Sequence, residues 1–237
     1  MPDYHYSYLI GTLLFVAAWM VCLLAGLRYR RQSAWGALVS APFAVTSVLF
    51  IPQYWTPPSL FDLDLRFKVG IEDFLWAAAV GGIASVIGEI ALKERLARGR
   101  AEKRRKHLTP FVVLAVLLVA LQIWRPEKTI YNMIIALAIC AAVVIALRPD
   151  LSVVMLVGAA TFTILYWGLF EILLRLYPHF IEKFYNVPNL LGIYALGVPL
   201  EEILFAASGG AVWSAAYEYL QGYRLRTTGG WRFEEAP

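Results

Sequence analysis

The chain has 237 residues; 60 % are hydrophobic, 16 % are charged, and the mean hydropathy is +0.63. So many long apolar runs exclude a soluble globular core and define an integral membrane protein. The net charge of +4 and pI near 9.1 do not mark a nucleic-acid binder, because the basic residues gather in alternate loops between apolar runs.

In chain order, apolar stretches predict membrane spans over 6–27, 34–53, 70–92, 109–124, 130–147, 151–175 and 191–220. Most reach the roughly 17–25 residues that a crossing helix needs, and 109–124 is short. The N-terminus MPDYHYSY lacks the positive region of a signal peptide, so the first span is expected to be retained. Arg28, Arg30 and Arg31 follow the first span, and Lys93, Arg95, Arg98, Arg100, Lys103, Arg104, Arg105 and Lys106 follow the third. Arg224 and Arg226 follow the seventh, while loops such as Asp62–Lys68 and Arg125–Lys128 are of mixed charge. The positive-inside rule then predicts a multi-pass cell-membrane protein with its N-terminus outside and its C-terminus cytoplasmic. The 93–106 run also suits contact with anionic lipid heads. Cys22 and Cys140 lie in apolar runs as small core residues, with no disulfide or metal framework. Lengths near 20 residues without strict alternation select helices over a barrel. The fold class expected is an all-α polytopic bundle of about seven transmembrane helices.

Two of these spans carry one pattern. Residues 69–89 and 198–218 align without a gap at an offset of 129, and 8 of the 21 positions are identical. Matches include Glu72 with Glu201, Leu75 with Leu204, Gly81 with Gly210, Ser85 with Ser214 and Glu89 with Glu218. Three crossings end in each copy, so a linking span is needed to restore orientation, and the copies form a 3+1+3 parallel repeat. The expected division is 1–107 for the first repeat, 108–126 for the linking helix and 127–237 for the second repeat.

Each copy opens on an acidic pair, Glu72-Asp73 or Glu201-Glu202. A carboxylate at membrane depth costs about 2.5–3.5 kcal/mol on insertion scales, so pairs in register point to use. Glu89 and Glu218 lie about 24–25 Å further along their helices and cannot share a site with the pairs. Near the basic face they also suit pairing with arginine, as Glu171 suits Arg175 four residues on. Trp76 and Phe205 follow the pairs by one turn on the same face, and Gly81, Gly82, Gly209 and Gly210 permit close approach of a helix or a flat ligand. Trp167, Trp213 and Tyr217 are candidates to line a polyene channel, or ordinary core and interfacial aromatics.

A desolvated carboxyl beside a second one stays protonated near neutrality and can protonate a carbon–carbon double bond. An aromatic face then stabilises the carbocation, and exclusion of water protects it. Other chemistries lack their residues. No Gly-x-Gly-x-x-Gly follows a strand. No lysine falls in a span, which excludes a retinal Schiff base. His5, His107 and His179 lie at termini or in loops, whereas the CAAX-type intramembrane proteases, whose Glu-Glu motif is similar, need intramembrane histidines.

At Pro199-Leu200-Glu201-Glu202-x-x-Phe205, with Tyr217-Glu218 closing the helix, the chain resembles the membrane lycopene cyclase family of the heterodimeric or fused-tandem type. That family carries a P-[LI]-E-E-x-x-F-F signature once per domain. The first copy departs from it: Gly70-Ile71-Glu72-Asp73 replaces Pro-Leu-Glu-Glu, and Trp76-Ala77 replaces Phe-Phe; in the second, Ala206 replaces the second Phe. The resemblance implies redox-neutral cyclisation of the linear end groups of lycopene to β-ionone rings, an intramolecular lyase or isomerase activity. Glu201 and Glu202 would be the principal acid/base pair, Glu72 and Asp73 their counterparts, and Trp76 and Phe205 the cation stabilisers. Trp213, Tyr217, Glu218, Glu89 and Trp167 complete the candidate substrate-binding set. No cofactor is expected, with flavin and NADPH left open. Expected partners are a carotenoid such as lycopene, membrane lipids and a second copy in a homodimer, but not nucleic acid. Two alternatives stay open: a non-catalytic carotenoid-binding protein and a proton-coupled transporter.

Overall fold

The computed structural model describes residues 3–92, 96–98 and 108–227. It is almost wholly helical. The long helices are α1 (Ser7–Ala25), α2 (Arg30–Ser40), α5 (Ile71–Leu92), α6 (Thr109–Trp124), α7 (Thr129–Leu147), α8 (Ser152–Leu176) and α10 (Leu200–Gln221). Short helices α3 (Ser47–Phe50), α4 (Leu63–Phe67) and α9 (Phe180–Phe184) lie in the connections. Among the described residues, five helical stretches, Tyr4–Ala25, Leu27–Phe50, Ile71–Leu92, Pro126–Leu147 and Pro149–Leu176, are long and apolar enough to cross a membrane, and Thr109–Trp124 is a shorter apolar helix. The protein is therefore a helical membrane protein.

Two expected spans are corrected. The second is not one regular helix over 34–53: it starts at Arg30, tightens to 3-10 geometry over Ala41–Thr46 and resumes as α3. Pro42, at the start of the 3-10 segment, has no N–H for the α-helical bond and breaks the ladder there. The last helix does not begin near 191. Residues 194–199 form a two-stranded hairpin of β2 (Tyr194–Ala195) and β3 (Val198–Pro199), turning through Leu196 and Gly197 at positive φ. Pro199 is the N-cap of α10, with extended backbone, so it opens the helix and does not kink it.

Helix α5 lies in the centre, against α1, α2, α8 and α10. It is buried on nearly every side, with Ala79, Ile83 and Ala84 wholly enclosed. Crowding is met with small residues. A side chain on Gly36 of α2 would strike Ser85 and the Gly81 carbonyl of α5, and one on Gly158 of α8 would strike Ser214 of α10. Gly81 and Ser85 on one helix thus correspond to Gly210 and Ser214 on the other, each facing a glycine of the helix packed against it. Polar groups buried at the first crossing are satisfied: Ser33 Oγ donates to the Gly82 carbonyl at 2.9 Å, and Ser40 Oγ to the Ala77 carbonyl at 2.7 Å.

Helix α6 packs on α7 at the periphery, and only Pro110 in it is buried. At the end of the bundle opposite the acidic pairs, β1 (Leu96–Arg98) pairs antiparallel with β4 (Leu225–Thr227). Apart from that strand, the basic 93–106 run and the tail from 228, on which the orientation expectation leans, lie outside the described residues.

Candidate functional site: two buried acid clusters

All four acids of the pairs are buried: Glu72 is 1 % exposed, Asp73 3 %, Glu201 0 % and Glu202 5 %. They occupy the first turns of α5 and α10, where free backbone N–H groups and the helix dipole favour negative charge. Neighbouring helical positions diverge by about 100°, and the two acids of each pair accordingly find different partners.

The first acid of each pair ties down the segment that precedes its helix. Glu72 Oε1 accepts the Leu60 N–H at 2.7 Å. Glu201 Oε1 accepts the Leu191 N–H at 2.6 Å and the Tyr131 hydroxyl of α7 at 2.6 Å. In both residues the second oxygen, Oε2, is buried and has no hydrogen-bond partner.

The second acid of each pair meets phenols. Asp73 Oδ1 accepts the Tyr8 hydroxyl of α1 at 2.7 Å, and its Oδ2 accepts the Gly70 N–H at 2.7 Å. Glu202 receives three hydroxyls, Tyr54 at 2.9 Å and Tyr185 at 2.8 Å on Oε1 and Tyr166 at 2.5 Å on Oε2. Burial, and then the charge of Glu202, holds the Tyr54 and Tyr185 phenols well above their ordinary range. Both therefore remain neutral donors. An oxygen array of this kind gives both oxygens of a buried carboxyl a donor and offers hydroxyls that can pass protons.

Two connections hold Tyr54 and Tyr185 over α10. The segment after α3 and the segment after α9 bind one another: Thr56 N–H donates to the Phe184 carbonyl at 2.7 Å, and Asn186 N–H to the Tyr54 carbonyl at 2.8 Å. Asn189 Nδ2 adds a bond to the Gln53 carbonyl at 2.8 Å. Chain segments more than 100 residues apart thereby close the acidic end.

An aromatic partition runs between the two clusters. Tyr8 contacts Trp55 edge-on at 4.8 Å between ring centroids, and Trp55 contacts Tyr185 at 5.7 Å. Deeper in, Trp76 and Phe205 stack with centroids 6.1 Å apart and planes 18° from parallel. Phe15 and Tyr166 border this pair, Phe15 at 6.2 Å from Trp76 and Tyr166 at 6.4 Å.

The remaining candidates lie apart from the acids. Trp167 Nε1 donates to the Ala195 carbonyl at 3.1 Å and anchors the β2–β3 hairpin. Trp213 packs on Phe43, and Tyr217 on Trp35 and Tyr223. Glu89 and Glu218 are buried at 2 % and 0 % toward the opposite end, where Gln32 Nε2 donates to Glu218 at 3.3 Å. Glu171 pairs with Arg175 at 3.1 Å. Sequence reasoning missed Tyr8, Tyr54, Tyr131, Tyr166 and Tyr185, which no spacing links to the acids. It also missed Asp64, 0 % exposed in α4, whose signal was an acid among the apolar residues of a connecting loop.

The fold and these clusters define a polytopic helical membrane protein with buried carboxyl–phenol networks at one end of its bundle. Residues 128–220 match the family model for lycopene cyclase. The matched region spans α7 to the last turn of α10 and holds Tyr131, Tyr166, Tyr185, Glu201 and Glu202. It supports a role as a carotenoid cyclase acting in a membrane. Comparison with curated proteins and with solved structures gives no match.

Proposed function

We propose that this chain cyclises the linear end groups of lycopene to β-ionone rings by redox-neutral acid/base chemistry. The observation that carries the reading is the Glu202 carboxyl, buried under three phenols, one of which, Tyr166, borders the stacked Trp76 and Phe205. A carboxyl of the acid set gives a proton to the terminal double bond. The cation so formed is attacked by an inner double bond of the same end group, which makes the ring carbon–carbon bond. A carboxylate then removes a ring proton and a double bond is restored. One proton enters and one leaves, so substrate and product are isomers and no electron donor is required.

Each group has a task in this scheme. The rings of Trp76, Phe205 and Tyr166 face the cation with their negative quadrupoles. The hydroxyls around Glu202 orient its carboxyl and relay its proton. Glu201 and Glu72 hold the preceding loops closed, and closure keeps out the water that would quench the cation. The paired glycine–serine crossings support a tandem origin, with 1–107 and 127–237 as repeats joined by the 108–126 helix. The loop charges favour an outer acidic end and an inner C-terminus.

Pigment analysis of a lycopene-accumulating host tests the proposal. Wild type should give monocyclic or dicyclic carotenoid. Glu201→Gln and Glu202→Gln should each insert in the membrane and leave lycopene unchanged. Wild-type product from either variant would refute the residue assignment, and unchanged lycopene from the inserted wild type would refute the activity.

A further inference from the structure

Asp64 has no part in the scheme above. It belongs to α4, outside the membrane-spanning helices, and is 0 % exposed. Neither carboxyl oxygen has a hydrogen-bond donor. The chain turns sharply to bury it: Phe61, Asp62 and Lys68 adopt left-handed backbone at φ 60°, 55° and 57°, which residues with a Cβ disfavour. The side chain points at Gly70. A methyl group there would stand 2.8 Å from Asp64 Oδ1 and 3.0 Å from Glu72 Oε2, another buried oxygen with no partner.

The titratable groups facing Asp64 are Asp73 and Glu72 from α5 and Tyr8 from α1. Its chain neighbours Arg66 and Lys68 are exposed. Among the described residues no cation pairs with Asp64, and no three acidic, histidine or cysteine side chains are arranged to hold a metal ion. Asp64 and Asp73 converge on Gly70, whose N–H Asp73 Oδ2 accepts at 2.7 Å and whose Cβ position would stand 2.8 Å from Asp64 Oδ1, and both Asp73 oxygens already accept, from Tyr8 and Gly70. Two carboxyl groups at such range repel unless a proton lies between them. With Asp73 engaged as an acceptor on both sides, that proton belongs to Asp64. Burial, and then the charge of Asp73, pushes the Asp64 carboxyl up to about 8.

We propose that Asp64 and Asp73 share one proton, and that Asp64 stores the proton which Asp73 delivers to the polyene. This rests on the cyclase reading. Asp64 is then a positioning residue that acts through Asp73. In the step, the Asp64 O–H bond breaks as an Asp73 O–H bond forms, and Asp73 passes a proton to the substrate double bond. The proton later released from the ring recharges the pair, so none is consumed.

The test uses the full chain in lipid nanodiscs with lycopene, comparing wild type, Asp64→Asn, Asp64→Glu and Glu202→Gln. Asp64→Asn should cyclise roughly 100-fold more slowly, the size of a lost general acid. It should also lose the alkaline limb of the rate profile, near pH 8 in wild type. Asp64→Glu should restore both. Infrared spectra of the wild type should show a protonated-carboxyl band that vanishes as pH rises through about 8 and is absent from Asp64→Asn. Should Asp64→Asn fail to fold, the wild-type band alone decides. A wild type without a carboxyl band titrating there overturns the shared proton, as does an Asp64→Asn variant with unchanged rate and pH profile. Glu202→Gln separates the two readings. Loss of its activity beside an unaffected Asp64→Asn sinks only the store, full activity in Glu202→Gln sinks the assignment of Glu202, and unchanged lycopene from the inserted wild type sinks the cyclase reading itself.

Discussion

Trp76 and Phe205 occupy the same position in the two acidic helices, and they stack on each other, with centroids 6.1 Å apart and planes 18° from parallel. The two clusters consequently share one aromatic floor. In the proposed mechanism, a cation formed beside either cluster would border the same pair of rings.

That sharing predicts coupled losses. Trp76→Leu and Phe205→Leu should each slow ring formation by about tenfold, in line with a cation–π contribution of ~0.5–2 kcal/mol. The double variant should lose less than the sum, because residues in contact are non-additive. Initial rates normalised to membrane-inserted protein check this; strictly additive losses would contradict a shared face.

The phenols around Glu202 are expected to differ in weight. Tyr166 makes the shortest of the three bonds, 2.5 Å, and alone serves Oε2. Tyr166→Phe should therefore reduce activity more than Tyr54→Phe or Tyr185→Phe, which share Oε1. A buried hydrogen bond to a charged group is worth ~1.5–3 kcal/mol, or roughly tenfold to a hundredfold in rate. Equal effects from all three variants would show that the network acts as a unit.

The helix crossings predict opposite outcomes for two glycines. A Cβ on Gly81 would collide with Ser40 and stand 2.8 Å from the Gly36 carbonyl, whereas nothing lies within 4 Å of a Cβ on Gly209. Gly81→Ala should destabilise by about 1–3 kcal/mol through overpacking. Gly209→Ala should be neutral, or gain up to ~1 kcal/mol from helix propensity. Thermal melts in detergent micelles distinguish them.

Stability should fall as pH rises. The folded state holds the Asp64 proton up to about 8, whereas an unfolded aspartate releases it near ~3.9. A raised carboxyl pKa means that the full stabilisation is present below the unfolded value, declines between the two, and is gone above the folded one. The wild-type melting temperature should therefore drop from pH 5 to pH 8. Asp64→Asn carries no titrating group there, and its melting temperature should fall less over the same range.

The membrane class, the helical fold and the acidic pairs were legible in the chain because they rest on local terms. Apolar run length decides a membrane span, and a carboxyl inside such a run stands out against its cost. The ends of spans were less legible. Pro42 and Pro199 mark breaks, but only the packed chain decides whether a proline kinks a helix, tightens it or starts it, since neighbouring elements must supply the hydrogen bonds it removes. Trp167, a candidate to line the channel, also anchors the β2–β3 hairpin through its N–H, a contact that only its surroundings in the fold supply.

The sequence by itself determined which residues are costly in a bilayer, Glu72, Asp73, Glu201 and Glu202, because desolvation of a charge depends on the residue and its apolar surroundings along the chain. Tertiary structure alone decided how that cost is met. Tyr54 and Tyr185 reach Glu202 from loops 148 and 17 residues away, Tyr166 from a neighbouring helix, and Tyr8 crosses 65 residues to Asp73. A hydrogen bond forms over about 3 Å whatever the separation in sequence, so the partners of a buried acid become visible only once the helices are packed.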